Sequence, residues 1–236
     1  MKLKKLILIS LVILFFLNTI IVSSQSTGLK EEKQITVLVM GFGPFLNNDV
    51  NPSELIAADL DGETIGDAEI IGLQVLPNLS NFSESINIVY QAIDSINPDY
   101  IFSIGLAAKY ENIRIEKVGF NLKYEIKNDS KLEKIIPNAP FLRISPFPSM
   151  KIVQELKKES IPSQTSFFAG LSLCNGMLYS VLNYIDINDL DIKSGFIHVP
   201  LHKTEETPDA MDLQTMVNAT RIIVKVCLDY YSCINC

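Results

Sequence analysis

The residue with the clearest chemical potential is Cys174, which stands alone in the middle of the chain. After it, apolar residues recur with helical spacing, at Met177, Leu178, Val181, Leu182 and Ile185. The spacing predicts a helix with Cys174 at its beginning. The backbone N–H groups and the dipole at a helix N-terminus favour a thiolate, the reactive form of cysteine. Free cysteine is also a common small core residue, so Cys174 is a candidate nucleophile that needs a partner.

Two histidines are available as a base for this thiol, His198 and His202. His198 lies near the end of an apolar run at 195–199, which has the character of a buried strand, whereas His202 follows Pro200 in a polar segment. In an open α/β sheet, sites form at the carboxyl ends of strands, where Cys174 would also emerge. His198 is therefore the better candidate, although a structural histidine fits the same pattern and spacing alone does not bring the two residues together.

A glycine-rich turn at 41–45 follows the first apolar run and invites comparison with a dinucleotide site. Leu46 stands where the third glycine of that fingerprint belongs, and Pro44 has no N–H to donate to a phosphate. We therefore reject that cofactor. Phe42 and Phe45 flank the turn, and they either form an apolar wall for a small ligand or cap the core. Composition leaves both roles open.

The elements that must position these residues alternate between strands and helices. Apolar runs at 35–40, 69–76, 100–104 and 195–199 predict strands covered on both faces, with a further short strand around Phe167 and Phe168. Amphipathic stretches lie between them, one ending at Pro98 and others opening at Ser149 and at about Asp209. This order predicts one α/β domain at 35–231, with three α/β/α layers and a mixed, mostly parallel, twisted sheet. The irregular stretch at 120–147 is expected to be a surface excursion that helps to shape the site.

The two ends of the chain differ in composition from this domain. Lysines precede an apolar run at 6–17 and then small residues, which predicts a signal peptide at 1–24, or an N-terminal anchor, followed by a linker at 25–34. The protein is thus expected to be exported or secreted, with membrane contact only through an uncleaved leader. Cys227, Cys233 and Cys236 make a weak zinc site, so we expect a solvated tail at 232–236 with at most a disulfide. A net charge of -7 argues against a nucleic-acid partner.

Four ordered segments resemble pyroglutamyl peptidase I, the pyrrolidone-carboxylate peptidase family of cysteine peptidases. They are 41–45 with the Asn-Pro-Ser at 51–53, 105–107 leading to 115–121, 169–175, and 195–200. The resemblance implies that Cys174 is the nucleophile, His198 the general base and acid, and Glu116 the carboxylate that orients the imidazole. It implies that Phe42 and Phe45 hold the lactam ring of the substrate.

The same resemblance implies peptide substrates with an N-terminal pyroglutamate, a thioester intermediate, no metal or organic cofactor, and a homo-oligomer, either a dimer or a tetramer. This chain departs from the family pattern at Lys109 and Tyr110, where a Gly-Arg pair is usual, and it has Arg114 two residues before Glu116. One hypothesis is that Arg114 compensates near the oxyanion or substrate. The departure also motivates two alternatives: an exported protein that binds pyroglutamyl peptides without cleaving them, and a thiol amidase of altered specificity.

Overall fold

The computed structural model describes residues 34–44, 50–76, 82–125, 131–204, 207 and 210–234. The strands of the central sheet are β1 (Ile35–Phe42), β2 (Thr64–Ile65), β3 (Ala68–Val75), β4 (Tyr100–Leu106), β5 (Ile113–Glu116), β10 (Ser163–Ser166) and β11 (Lys193–Val199). The helices are α1 (Pro52–Leu60), α2 (Phe82–Ile96), α3 (Ser149–Lys158), α4 (Leu173–Ile187) and α5 (Leu213–Ile234). Four short strands complete this part of the chain: β6 (Val118–Phe120), β7 (Lys123–Glu125), β8 (Lys131–Glu133) and β9 (Leu142–Ile144).

The central sheet has seven strands in the order β10-β5-β11-β4-β1-β3-β2. Four of its neighbouring pairs are parallel, whereas β11 runs antiparallel to β5 and β2 antiparallel to β3. Parallel neighbours need a crossover connection, which explains why helices separate most of the strands in the sequence. The predicted mixed, mostly parallel sheet is confirmed.

Helices cover both faces of this sheet. On one face, α1, α3 and α5 pack on the sheet around buried residues such as Ile56, Ile152 and Ile223. On the other face, α2 and α4 form a second core with residues such as Val89 and Val181. Successive side chains of a strand point to opposite faces, so β1, β3, β4 and β11 contribute to both cores. The three predicted layers are therefore confirmed.

The helix boundaries follow from local chemistry. Asn51 caps α1, with its side chain accepting a hydrogen bond from the backbone N–H of Ser53, and Pro52 occupies the first turn, where its missing N–H costs nothing. Helix α2 ends before Asn97, which adopts a positive φ of 48°, and Pro98 follows one residue later. Asparagine tolerates that conformation better than most residues, so it closes the helix as glycine commonly does.

The segment at 120–147 is more regular than the sequence suggested. Strand β6 pairs with β9, and β7 pairs with β8, each as an antiparallel two-stranded sheet. Gly119 in β6 lies against α4 so closely that a Cβ at this position would stand 2.8 Å from the backbone nitrogen of Tyr179. The predicted strand around Phe167 and Phe168 was wrong: β10 ends at Ser166, and both aromatic side chains are exposed beyond it.

The two ends of the chain differ in how far the structure describes them. The predicted leader at 1–24 and nearly all of the linker lie outside the described residues, as does Cys236. Helix α5 continues to Ile234, so the expected tail begins inside a helix, with Cys227 buried and Cys233 exposed. Burial raises the pKa of the Cys227 thiol. Among the described residues, no helix is long and apolar enough to cross a membrane.

Candidate active site

Cys174 occupies the first turn of α4, as the residue pattern predicted. Its side chain is partly buried and packs against the core between α2, α4 and the sheet. The sulfur lies over Gly105 near the carboxyl end of β4, since a Cβ at Gly105 would stand 3.3 Å from Sγ. A side chain at position 105 would therefore crowd the thiol, and glycine gives the sulfur its place.

His198 and Glu116 meet because of the antiparallel register between β11 and β5. Glu116 pairs with Phe196, and Arg114 pairs with His198, so these four side chains share one face of the sheet. The Nδ1 atom of His198 lies 2.8 Å from Oε1 of Glu116. An ionised carboxylate only accepts hydrogen bonds, so Nδ1 donates the proton and the other ring nitrogen is left for the sulfur.

Cys174 lies beside the imidazole, because its sulfur is over Gly105, which pairs with His198 between β4 and β11. The structure thus brings together Cys174, His198 and Glu116, from three elements that are distant in the sequence. His198 is 6% exposed and Glu116 is 1% exposed, so solvent screens their interaction weakly.

The electrostatics of His198 combine opposing effects. Burial lowers its pKa by disfavouring the charged ring, but the charge and hydrogen bond of Cys174, followed by those of Glu116, outweigh burial and raise the pKa to about 9. Cys174 and Glu116 together therefore favour a proton on the imidazole at neutral pH. A protonated imidazole beside a sulfur is the arrangement that makes a cysteine nucleophilic.

His202, the second histidine considered from the sequence, has other contacts. His202 is half-buried and forms an isolated β-bridge with Met211. Glu111 is exposed in the connection between β4 and β5. Among the described residues, no cluster of His, Cys, Asp and Glu side chains could hold a metal ion.

Of the two phenylalanines expected to contact the substrate, the structure describes Phe42 but not Phe45. Phe42 is 5% exposed, and its ring centroid lies 6.3 Å from that of Phe196. The ring of Phe196 in turn contacts His198 edge-on, at 5.0 Å. Phe42 thus supports the site from inside the core, and its role in holding a lactam ring stays a prediction. Phe45 lies outside the described residues.

Asn175 is a structural residue of the site to which the sequence analysis gave no role. Its amide oxygen accepts a hydrogen bond from the N–H of Phe120, and its amide nitrogen donates to the carbonyls of Phe120 and Leu122. These bonds fasten the start of α4 to the segment after β6. The sequence could have pointed to Asn175, because it is a polar residue in an apolar helix, next to the candidate nucleophile. Such a side chain needs hydrogen-bond partners when it is buried.

The fold and this geometry define an α/β protein in which a thiol, an imidazole and a carboxylate lie next to one another, near the carboxyl ends of β4 and β11. Comparisons with known proteins narrow the class. The pyroglutamyl peptidase family model matches residues 35–230. The chain is 34% identical to a pyrrolidone-carboxylate peptidase of Pyrococcus furiosus over 206 residues, covering 82% of this chain and 98% of that protein. It is 36% identical to pyrrolidone-carboxylate peptidase 1 of Caldanaerobacter subterraneus, covering 80% of this chain and 96% of that protein.

Solved structures agree with these relatives. The pyrrolidone carboxyl peptidase of Thermococcus litoralis superposes with a TM-score of 0.77 at 29% identity, covering 84% of this chain and 95% of that one. A structure of the Pyrococcus furiosus enzyme gives a TM-score of 0.76 at 31% identity, covering 83% of this chain and 99% of that one. The chain belongs to the pyroglutamyl peptidase family of cysteine peptidases.

Proposed function

We propose that this protein hydrolyses the bond after an N-terminal pyroglutamate, with Cys174, His198 and Glu116 as its catalytic residues. The single observation that carries the proposal is the proximity of the Cys174 sulfur, which lies over Gly105, to its strand neighbour His198, whose imidazole hydrogen-bonds with Glu116. Family membership supports the choice of substrate, because the relatives at 34% and 36% identity are named pyrrolidone-carboxylate peptidases.

In the proposed reaction, the Cys174 thiolate attacks the carbonyl carbon that links pyroglutamate to the next residue. A C–S bond forms, and the carbonyl electrons move onto oxygen. The imidazolium of His198 then gives its proton to the leaving amine as the C–N bond breaks, which leaves a thioester. Next, His198 takes a proton from water as the resulting hydroxide attacks the thioester. The C–S bond then breaks, which releases pyroglutamate, whose carboxyl proton goes to solvent, and restores the Cys174 thiolate beside the His198 imidazolium.

Two features of the site support these steps. The negative oxygen of the tetrahedral intermediate would lie near the backbone N–H groups that open α4, where the helix dipole favours negative charge. Glu116 would hold the imidazole in the tautomer that faces the sulfur and stabilise the imidazolium between the two half-reactions. Phe42 and Phe45 remain the proposed apolar contacts for the flat lactam ring.

The decisive experiment measures release of a fluorescent amine from a pyroglutamyl amide. The protein should turn over this substrate, and Cys174→Ala should lower kcat/KM by at least about 10³-fold, as expected for loss of a nucleophile. Cys233→Ala is the matched control, because Cys233 is an exposed thiol far along the sequence. An active Cys174→Ala variant would overturn the proposal.

Two further assays distinguish the alternatives. Calorimetry that shows tight binding of a pyroglutamyl peptide without turnover would replace hydrolysis with a binding role. Cleavage of other small acyl amides, without cleavage of pyroglutamyl amides, would identify an amidase of altered specificity.

We also propose that the protein is exported through the apolar segment at 6–17, which is preceded by lysines. N-terminal sequencing of the protein recovered from its native host should give a chain that begins near residue 25. Recovery of the full-length chain from the cytosol would contradict this.

A further inference from the structure

Arg114 lies on the same sheet face as the proposed catalytic pair, although nothing in the reaction above uses it. It precedes Glu116 by two residues on β5, and the antiparallel register places it directly opposite His198 on β11. Residues paired across two strands have Cβ atoms within about 5.5 Å of each other, close enough for their charges to interact. A permanent cation therefore faces the imidazole from the neighbouring strand.

Three contacts hold the guanidinium in this position. Nη2 donates a hydrogen bond of 3.0 Å to Oγ of Ser166 at the end of β10. The guanidinium carbon lies 3.9 Å from the centre of the Tyr110 ring, as in a cation–π contact. The side chain is only 14% exposed, so its charge is weakly screened.

The third contact is with the carboxylate. Nε of Arg114 lies 3.8 Å from Oε1 of Glu116, the same oxygen that receives the proton of His198 Nδ1. This distance is too long for a hydrogen bond but short enough for Coulombic attraction. Consistently, neither Nε of Arg114 nor Oε2 of Glu116 has a hydrogen-bond partner among the described residues. Arg114 thus attracts the carboxylate of Glu116, while His198 keeps its hydrogen bond to the same oxygen.

We propose that Arg114 is a positioning residue that shares the negative charge of Glu116 with His198, and so makes His198 a better proton donor to the leaving amine. Glu116 and Cys174 both stabilise the imidazolium, and a base that holds its proton too tightly is a poor general acid at neutral pH. A fixed cation beside the carboxylate and opposite the ring offsets part of that stabilisation. This inference rests on the proposed function for its catalytic meaning.

The charged and titratable groups that face His198 are few. From β5 they are Glu116 and Arg114, from α4 Cys174, and from the loop before β5 the ring of Tyr110 through its contact with Arg114. Opposite His198 on β4 stands Gly105, which carries no charge. Lys109 also lies over Tyr110, with Nζ 4.9 Å from the ring centre, but its side chain is exposed.

Arg114→Gln tests the proposal, with Lys109→Gln as the matched control, because both remove one positive charge next to Tyr110. In Arg114→Gln, the alkaline limb of the kcat profile should move upward by at least about half a pH unit, and kcat near neutral pH should fall about 3- to 10-fold. KM should stay within about twofold, since Arg114 acts through other residues. Arg114→Lys should restore most of the profile, and Lys109→Gln should leave it unchanged.

An NMR titration of His198 separates this inference from the proposed function, because it needs no turnover. His202→Gln assigns the signals, since the chain has two histidines. The His198 signal should titrate at higher pH in Arg114→Gln than in the parent, whether or not the protein cleaves pyroglutamyl amides. An unchanged titration would overturn the inference, as would a raised KM with an unchanged pH profile, which would make Arg114 a substrate contact.

Discussion

The two faces of the central sheet are built from the same strands but carry different chemistry. Toward α1, α3 and α5, these strands present buried apolar side chains, Ile113 and Ile115 from β5 and Ile197 and Val199 from β11. Toward α4, the same strands present Glu116 and His198, and β4 presents residues that become smaller toward its carboxyl end: Ile101, Ser103 and Gly105. Adjacent residues of one strand therefore serve the core on one side and the site on the other.

This difference indicates where stability and activity reside. Burial of an apolar side chain stabilises a fold, whereas a buried carboxylate is tolerated only with suitable partners. Glu116 has such a partner in His198, but its second oxygen has no hydrogen-bond partner among the residues described. The site face thus gives up some stability for chemistry, and the opposite face stabilises the sheet. Substitutions on neighbouring residues should separate the two properties.

Among these substitutions, Glu116→Gln is expected to have the largest effect on activity relative to its effect on stability. The amide keeps the shape of the side chain and can still accept the proton of His198 Nδ1, but it lacks the negative charge that supports the imidazolium. The kcat for a pyroglutamyl amide should fall by about 10²–10⁴-fold, as is typical when a triad loses its carboxylate. Thermal unfolding should change little.

Steady-state kinetics beside a melting curve check this expectation. A variant with parental kcat would show that Glu116 has no part in the reaction. A variant that is inactive because it is unfolded would instead place Glu116 among the residues that stabilise the fold.

Ile115→Ala should have the opposite outcome. Ile115 is fully buried on the other face of the same strand, and removal of a large aliphatic side chain from a core costs about 2–5 kcal/mol. The free energy of unfolding, measured with denaturant, should fall by that amount, while kcat per folded molecule stays near that of the parent. Loss of kcat in a fully folded Ile115→Ala protein would mean that the two faces are not separable.

The contrast between the faces also explains how much the sequence could predict. The strands at 35–40 and 100–104 were recognised because they are apolar on both faces. Strand β5 was not recognised, because Arg114 and Glu116 interrupt its apolar pattern with charges. The residues that we propose make this strand functional are therefore the ones that hid it from recognition in the sequence. Glu116 was assigned through resemblance to a family, since no periodicity pointed to it.

The sequence did not predict which strands pair with each other, or in which register. The choice of His198 over His202 rested on its position near the end of a strand, and the structure places it beside Glu116. However, the antiparallel pairing of β5 with β11 sets Arg114 opposite His198, and nothing local in either strand specifies that register. Contacts of this kind depend on the order of strands in the sheet, which only the folded chain determines.

Two glycines on opposite faces offer a finer test. A Cβ at Gly105 would stand 2.8 Å from Cζ of Phe196 and 3.3 Å from the Cys174 sulfur, whereas a Cβ at Gly195 would stand 2.2 Å from Cδ2 of Phe147. Both alanine variants should lose about 1–3 kcal/mol of stability through overpacking. Only Gly105→Ala should also slow alkylation of Cys174 by iodoacetamide, because only Gly105 contacts the thiol. Equal slowing in both variants would contradict this expectation.

A further expected effect concerns the charge on His198. Its pKa is raised to about 9, and after the opposing effect of burial the leading cause is the neighbouring Cys174. Cys174→Ser replaces the sulfur with a hydroxyl that stays neutral, so the pKa of His198 should fall by about 1–3 units. An NMR titration of the imidazole, with signals assigned through His202→Gln, measures this change. Identical titrations would show that the sulfur does not carry charge beside the ring.

The same shift makes a prediction for stability. A histidine whose pKa is higher in the folded than in the unfolded protein stabilises the fold below the unfolded value of about 6.5, and this contribution is lost as the pH rises through the folded value of about 9. Cys174→Ser also removes a titrating thiol, whereas Glu116→Gln removes a group that raises this pKa but does not itself titrate in the range. The parent should therefore lose stability relative to Glu116→Gln between these two pH values. Ile115→Ala leaves the charges in place and should keep a constant stability difference from the parent across that range. A parallel loss in all three proteins would mean that groups other than His198 control the pH dependence.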